Sequence, residues 1–273
     1  MTKDNFNHHT AVPIRRGVTF GFYARRGYFE KEQARKEVDR MVELNVDTVC
    51  LVPTVMQETG QDPRQFSDFE ITPSDFELMD IIDYIHGKGM QVELRPMIET
   101  FDGNGRLQIW FPPDRAHRIP GLKSDSFARW FAGMRARTRH YARLAKRMGC
   151  EVYGLDSEID MFVKMSKEWR EVVAVARSEF DGPVTSCHTF TVPFVRELQK
   201  GDHWFRDLDY LEISNWRKSA DQAGASLEER IAYIQRWLEE CREIATLLGK
   251  PVAFGEFGCT SCEGGGTAPG DWQ

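Results

Sequence analysis

The chain has 273 residues, enough to bury one large core, and its 42 acidic and 36 basic side chains give a formal net charge of −6. This acidic balance provides no basic surface for a nucleic acid. The first ten residues are polar, and no later apolar run is long enough to cross a membrane. We therefore expect a cytoplasmic protein without nucleic-acid or membrane partners, whose residues 1–14 form a flexible N-terminus.

Strand and helix patterns alternate along the chain. Apolar, β-branched runs predict strands at 16–22, 47–52, 91–96, 152–155, 184–187, 208–213 and 250–258. Helical periodicity predicts helices at 29–44, 75–88, 125–148, 167–180 and 226–248, and the stretches 54–71 and 99–123 are predicted as long loops. Strands that alternate with helices in this way form parallel βαβ units, so we expect a single α/β domain, a (β/α)8 TIM barrel.

The end of the chain does not fit a complete barrel of that type. Seven strands are predicted before Cys259, and residues 263–273 are rich in glycine and show neither strand nor helix periodicity. We expect this segment to be a loop leading to an eighth strand and helix that are missing from the chain. The first and seventh strands would then each have an edge of unpaired backbone groups.

Two predicted strands end on a carboxylate. Glu256 ends the apolar run after Pro251, which we expect to be buried on both faces, and Glu158 ends the run after Glu151. A glutamate is costly to bury without a partner or a function, and a salt bridge explains each one equally well when it is taken alone. Two carboxylates at the C-terminal ends of parallel strands are, however, typical of a retaining glycosidase on a barrel.

The six cysteines favour a reducing compartment. Cys50 and Cys187 lie in predicted strands and Cys241 in a predicted helix, as expected for small buried thiols. Cys259 and Cys262 form a C-x-x-C pair directly after Glu256. A zinc site would need a second pair or nearby histidines, so we predict structural thiols there, with a reversible disulfide as the alternative.

Six parts of the sequence are similar, in order and spacing, to one enzyme family along nearly the whole chain. They are 71–75, 89–96, 157–159, Trp169–Arg170 with Arg177, 208–210 and 255–258. Through them the chain resembles glycoside hydrolase family 113, the β-mannanase barrels of clan A. The resemblance implies that Glu158 is the general acid/base and Glu256 the nucleophile of a retaining mechanism on β-mannan or a related β-linked glycan, without a cofactor.

The resemblance also suggests residues that bind the sugar. Arg95 stands in place of a lysine of the family, and either holds a site carboxylate ionised or forms an ion pair in the barrel core. Glu99 matches an acidic position suited to sugar hydroxyls, and Trp110 is suited to stack on a sugar ring.

Other positions depart from the family pattern. His188 lies in a fifth strand that lacks the family's Asn-Trp pair, and Asn215 and Trp216 end a sixth strand where the family has an acid and tyrosines. We include these three residues among the substrate-binding candidates. Asp156, two positions before Glu158 on the same predicted strand face, is expected to raise the pKa of Glu158.

Two other functions remain open from the sequence. Five residues near strand ends could bind a divalent cation for an isomerase or aldolase-like reaction, namely Asp156, Glu158, Asp160, His188 and Glu212. They include no pair of histidines at ligand spacing, so we expect no metal. The second alternative is a non-catalytic carbohydrate-binding barrel, which a missing eighth strand would favour.

Overall fold

The structure, a computed structural model, describes residues 16–111, 125–189 and 191–270. The predicted flexible segment 1–14 and part of the predicted loop 99–123 lie outside these residues. The strands are β1 (Gly17–Phe20), β2 (Thr48–Leu51), β3 (Thr54–Gln57), β4 (Gln65–Phe66), β5 (Gln91–Leu94), β6 (Met97–Thr100), β7 (Val152–Ser157), β8 (Val184–His188), β9 (Leu211–Asn215) and β10 (Val252–Phe257). The helices are α1 (Glu32–Glu43), α2 (Asp75–Gly87), α3 (Ser126–Met148), α4 (Ser166–Glu179), α5 (Val192–Leu198) and α6 (Leu227–Leu248).

Seven strands form one sheet in the order β1-β2-β5-β7-β8-β9-β10, and every neighbouring pair is parallel. The side chain of Arg95, which follows β5, contacts Glu212 on β9, so the sheet curls until strands that are not neighbours meet inside it. This confirms the predicted TIM-type α/β barrel. Among the described residues no eighth strand joins the sheet, and β1 and β10 are its two edges.

A second, small sheet was not predicted. The register that pairs Leu51 with Leu94 continues as Thr54 with Met97, so Pro53 and Pro96 lie opposite each other in neighbouring strands. Proline has no N–H to donate, which ends β2 and β5. The chain then continues as the parallel pair β3 and β6, and β4 adds an antiparallel edge. The prediction of loops at 54–71 and from 99 onward was therefore wrong at these short strands, because the prolines indicated the ends of the runs.

The boundaries of α2 and α6 agree closely with the predicted ones, and strong capping residues mark their ends. Ser74 accepts a hydrogen bond from the backbone of Glu77, whose side chain bonds back to Ser74, and Ser226 and Glu229 form the same capping box. Gly249 closes α6 in the left-handed conformation. None of the helices in the described part of the chain is both long enough and apolar enough to cross a membrane.

The last β/α unit is less buried than predicted. We expected β10 to be covered on both faces, but it is an edge strand, and its residues are partly buried or, at Ala253 and Phe257, exposed. The predicted apolar stripe of α6 is largely exposed, and Leu227 is 72% accessible to solvent. Only Ile244 and Leu248 of this helix are buried. Periodicity identifies the apolar face of a helix, but it does not show whether a neighbouring element covers that face.

Two glycines make room for charged side chains inside the barrel. A Cβ atom at Gly154 on β7 would lie 2.6 Å from Cγ of Arg95, and one at Gly255 on β10 would lie 2.7 Å from both Sγ of Cys187 and Cβ of Glu212. Such distances are shorter than any normal contact. The barrel interior is therefore packed to its limit at the level of these two strands.

Gly255→Ala should lower the free energy of unfolding by about 1–3 kcal/mol, because the added methyl group has no space. Gly87→Ala is the matched control. Gly87 is the last residue of α2 and has nothing within 4 Å of the added atom, so the change should be neutral or stabilise the protein by up to about 1 kcal/mol. Urea unfolding of both variants measures the difference, and equal stability would contradict this account of the interior.

Candidate active site

Glu158 and Glu256 meet at the C-terminal mouth of the barrel. Ser157, the residue before Glu158, donates its hydroxyl to Oε1 of Glu256 at 2.7 Å. Ser214 on β9 donates to Oε1 of Glu158 at 2.6 Å and is also the register partner of Glu256. Two serines thus connect the ends of three strands, and each glutamate has one hydroxyl donor.

Irregular strand pairing in β7 and β10 sets the direction of the side chains of Glu158 and Glu256. The register of β7 against β8 shifts between Gly154 and Ser157, and that of β10 against β9 shifts between Phe254 and Glu256. Such bulges bend a strand locally and turn its side chains to a new direction. Glu158 itself has a backbone φ of 60°, in the left-handed region that is unfavourable for a side chain of this size.

The environment of Glu158 favours the protonated form overall. Burial is the main cause that raises the pKa of its carboxyl group, and the charges of Glu256 and Asp160 act in the same direction. Two contacts oppose them, the guanidinium of Arg106 with Nη2 at 2.6 Å from Oε2 and the hydroxyl of Ser214. A raised pKa is the property that a general acid needs near neutral pH.

Asp156 is not among the main causes of the raised pKa of Glu158, contrary to our expectation. Its carboxylate is buried against the guanidinium of Arg137 on α3 and accepts a hydrogen bond from the backbone N–H of Ser157. The shift of register in β7 turns Asp156 toward the helix layer and Ser157 toward Glu256. A strict alternation of side chains along β7, on which the prediction rested, does not hold across a bulge.

Arg95 is buried beneath Glu256. Its Nε donates to Glu93 at 2.7 Å, its Nη2 donates to Glu212 at 2.5 Å, and its Nη1 lies 3.6 Å from Oε1 of Glu256. Burial raises the pKa of the Glu212 carboxyl well above its usual value despite Arg95, and Glu212 also shares a hydrogen bond with Glu93. Arg95 therefore forms buried ion pairs with Glu93 and Glu212 and also approaches the carboxylate of Glu256.

Arg106 was not identified from the sequence. It lies in the 3-10 turn Arg106–Gln108, where it bridges Glu158 and Glu99, and its Nη1 is 3.2 Å from Oε2 of Glu99. Tyr23 donates its hydroxyl to the same oxygen at 3.0 Å, and burial together with Glu99 raises the pKa of Tyr23 to about 12. An irregular loop has no periodicity, so nothing in the sequence indicated that Arg106 reaches Glu158.

Three further candidates lie at the ends of β8 and β9. His188 is buried, with Nδ1 2.7 Å from Asp160 and Nε2 2.9 Å from Ser186. Asn215 is also buried, and its Nδ2 has no hydrogen-bond partner among the described residues. A Cβ atom at Gly258, two residues after Glu256, would lie 3.0 Å from the ring of the adjacent Trp216.

Trp110 lines an open cleft and is 43% accessible to solvent. The cleft has a volume of about 390 Å³, and its other lining residues are Thr59, Gly60, Gln61, Asp102, Asn104 and Gln108. The backbone N–H of Trp110 donates to the carbonyl of Gly60 at 3.0 Å, which fixes the loop at this point. One aromatic face surrounded by amide and carboxylate groups suits a hydroxyl-rich ligand.

The residues considered for a metal site do not form one cluster. Asp156 contacts Arg137, Glu212 contacts Arg95, and Asp160 contacts His188. Within 16–111, 125–189 and 191–270 there is no group of three or more His, Cys, Asp or Glu residues placed to hold a metal ion. These residues therefore do not form the metal site that the isomerase or aldolase-like alternative would need.

The cysteines fall into a buried or partly buried group and an exposed pair. Cys50 and Cys187 are buried in strands, and Cys241 is partly buried in α6. Cys259 and Cys262 are exposed free thiols, and the hydroxyl of Thr260 lies 3.1 Å from Sγ of Cys262.

Comparison with known proteins identifies the family. The model of glycoside hydrolase family 113 matches residues 18–273. The GH113 β-mannanase AaManA from Alicyclobacillus acidocaldarius is 28% identical, with a TM-score of 0.77 over 94% of this chain and 75% of its own. A GH113 β-1,4-mannanase is 25% identical, with a TM-score of 0.77 over 94% and 76% of the two chains.

More distant similarity extends to the fold alone. The exo-β-1,4-mannosidase Op5Man5 from Opitutaceae bacterium strain TAV5 is 15% identical, with a TM-score of 0.50 over 90% of this chain and 46% of its own. No curated protein matches the sequence. Because the family model covers nearly the whole chain, the protein belongs to glycoside hydrolase family 113 and is a glycosidase.

Proposed function

We propose that this glycosidase cleaves β-mannan, or a closely related β-linked glycan, with retention of configuration. The observation that carries the proposal is the junction of Glu158 and Glu256 through Ser157 and Ser214 at the mouth of the barrel. Retention requires two carboxyl groups on opposite sides of the scissile bond, one protonated and one ionised. The solved relatives described as GH113 β-mannanase and β-1,4-mannanase support the substrate class.

In the first step Glu256 attacks the anomeric carbon and the bond to the leaving oxygen breaks. Glu158 gives its proton to that oxygen, so the leaving sugar departs as a neutral alcohol. Ser157 and Arg95 both approach Oε1 of Glu256. Oε2 has no hydrogen-bond partner among the described residues, and we assign it the attack on the sugar.

In the second step water replaces the leaving sugar. Glu158, now a carboxylate, takes a proton from the water as the water oxygen bonds to the anomeric carbon. The ester bond to Glu256 breaks, and the carboxylate and the protonated Glu158 are restored. Two displacements on the same carbon return the product to the starting configuration.

Side chains around the two glutamates form the proposed sugar site. The unpartnered Nδ2 of Asn215 is a buried donor that a sugar hydroxyl would satisfy, which removes the cost of leaving it unbonded. Glu99 offers carboxylate oxygens to other hydroxyls, and Trp216 forms a wall beside Gly258. The hydrogen bonds of His188 to Asp160 and Ser186 restrict it to packing beneath the sugar.

The cleft at Trp110 lies on the leaving-group side. Its loop also carries Arg106, which contacts Glu158, the residue that protonates the leaving oxygen. A sugar unit beyond the scissile bond would stack on Trp110, and Asp102 and Asn104 would bind its hydroxyls. Longer oligosaccharides should therefore be better substrates than short aryl glycosides.

Glu256→Ala should reduce turnover of β-mannan by on the order of 10⁴-fold or more, because no nucleophile remains. Sodium azide should restore part of the rate on an aryl β-mannoside by attacking the anomeric carbon in place of the carboxylate. Glu243→Ala, on the outer surface of α6, is the matched control and should keep wild-type activity. A Glu256→Ala variant with near wild-type turnover would disprove the nucleophile assignment.

Glu158→Ala should discriminate between substrates by leaving group. A dinitrophenyl β-mannoside needs little protonation, so its first step should be spared, whereas unactivated mannooligosaccharides should lose on the order of 10²–10⁴ in rate. Burst kinetics separates the first step from the second. Equal losses on activated and unactivated substrates would contradict the acid role of Glu158.

Trp110→Ala should lower kcat/KM for mannohexaose about tenfold and leave kcat/KM for an aryl β-mannoside unchanged, since only the longer substrate reaches the cleft. Phe76→Ala, which removes an exposed aromatic ring from α2, is the control and should affect neither substrate. An equal loss on both substrates would show that Trp110 acts elsewhere than in binding the leaving chain.

A further inference from the structure

Arg106 presents a conflict for the proposed reaction. A general acid must carry a proton when substrate binds, yet the guanidinium of Arg106 is 2.6 Å from Oε2 of Glu158, a contact that favours the carboxylate form. The contact is also buried, with 10% and 8% of the two side chains exposed, so water screens it little. Arg106 therefore holds the pKa of Glu158 lower than burial alone would set it, which works against the proton that the acid must carry.

The structure provides another partner for Arg106. Its Nη1 already lies 3.2 Å from Glu99, which Tyr23 holds in place from the other side. The Nε of Arg106 is buried and makes no hydrogen bond among the described residues, so this side chain is not fully fixed. The guanidinium lies over the ring of Phe22, 5.1 Å from its centre, a contact without the strict direction of a hydrogen bond.

We propose that Arg106 is a displaceable positioning residue, which bridges Glu158 and Glu99 in the free enzyme and moves onto Glu99 alone when the leaving-group sugar enters. The inference rests on the proposed retaining mechanism. Arg106 keeps its own proton throughout. Once the guanidinium has moved, Glu158 takes up a proton from solvent and passes it to the leaving oxygen.

The return of Arg106 would serve the second step. After the leaving sugar has departed with its proton, the guanidinium again contacts Glu158 and favours the carboxylate, the form that accepts a proton from water. Glu158 is thus protonated in the first step, when Arg106 has moved away, and ionised in the second step, when Arg106 has returned. Arg106 acts through the carboxyl group of Glu158 and takes no part in the bonds that form and break at the anomeric carbon.

Several charged groups act on Glu158 besides Arg106, and a test must separate them. They are Glu256 on β10, Asp160 with its partner His188, Glu99 on β6 beyond Arg106, and Tyr23 next to Glu99. Arg106→Gln removes the cation and leaves the other groups in place. Arg106→Lys keeps a cation at the same position, and Arg64→Gln removes an exposed arginine bound to Asp62 and serves as the control.

The first measurement needs no activity. In protein labelled with ¹³C at the glutamate carboxyl carbons, the signal of Glu158 is identified by its loss in Glu158→Gln, and its titration midpoint is followed by NMR. Arg106→Gln should raise the midpoint, Arg106→Lys should raise it less, and Arg64→Gln should leave it unchanged. An unchanged or lower midpoint in folded Arg106→Gln would overturn the proposal.

The second measurement tests the displacement. In a Glu256→Gln background, which stops turnover, saturating mannotriose should raise the Glu158 midpoint when Arg106 is present and should change it little in Arg106→Gln. No change on addition of mannotriose to the Arg106-containing protein, with binding verified by calorimetry, would show that the ion pair persists. That result would overturn the proposal.

Kinetics separates this inference from the proposed function. On unactivated mannooligosaccharides the alkaline limb of the kcat/KM profile should move to higher pH in Arg106→Gln, while the acidic limb stays in place. An unmoved alkaline limb in an enzyme that Glu256→Ala inactivates would overturn the role of Arg106 and leave the retaining mechanism intact. If no β-glycoside is hydrolysed at all, the proposed function fails, and the NMR titration alone decides whether Arg106 controls Glu158.

Discussion

The barrel depends on one buried cation. Arg95 enters the interior after β5 and meets Glu93, Glu212 and Glu256, which come from three different strands. Several carboxyl groups in so small a volume would repel one another without a positive charge among them, and removing one partner from such a buried cluster typically costs about 3–5 kcal/mol. The glycines on β7 and β10 are there because the cluster occupies the space that their side chains would need.

The same arrangement divides the work between the two glutamates. Oε1 of Glu256 contacts the hydroxyl of Ser157 and lies near the guanidinium of Arg95. Both residues belong to the barrel, so the fold fixes the position of Glu256. Glu158 is held from above by Arg106, a residue of an irregular loop. The position of Glu256 is therefore set by strands alone, whereas Glu158 is held by one strand residue, Ser214, and one loop residue, Arg106.

Much of this was predictable from sequence, and the failures have physical causes. The alternation of strands and helices fixes a parallel barrel, and in such a barrel strand ends such as Glu158 and Glu256 gather at one mouth. Asp156 points toward the helices instead of the barrel interior because of a bulge in β7, and the hydrophobic pattern of the sequence does not indicate where a bulge occurs. Arg106 reaches Glu158 across 52 residues of sequence, through a loop whose course only the folded chain defines. The exposure of Leu227 on α6 likewise depends on which neighbours are present.

Pro53 and Pro96 have a consequence for how this enzyme can change over time. They remove two backbone donors at the same level of neighbouring strands, and everything beyond them belongs to the small sheet and its loops, which carry Glu99, Arg106 and Trp110. Mutations in that upper layer can change the lining of the cleft at Trp110 without disturbing the register of the strands beneath it. Changes can therefore accumulate in the cleft around Trp110 while the strands of the barrel keep their register, much as variable loops diversify an antibody domain on a constant framework.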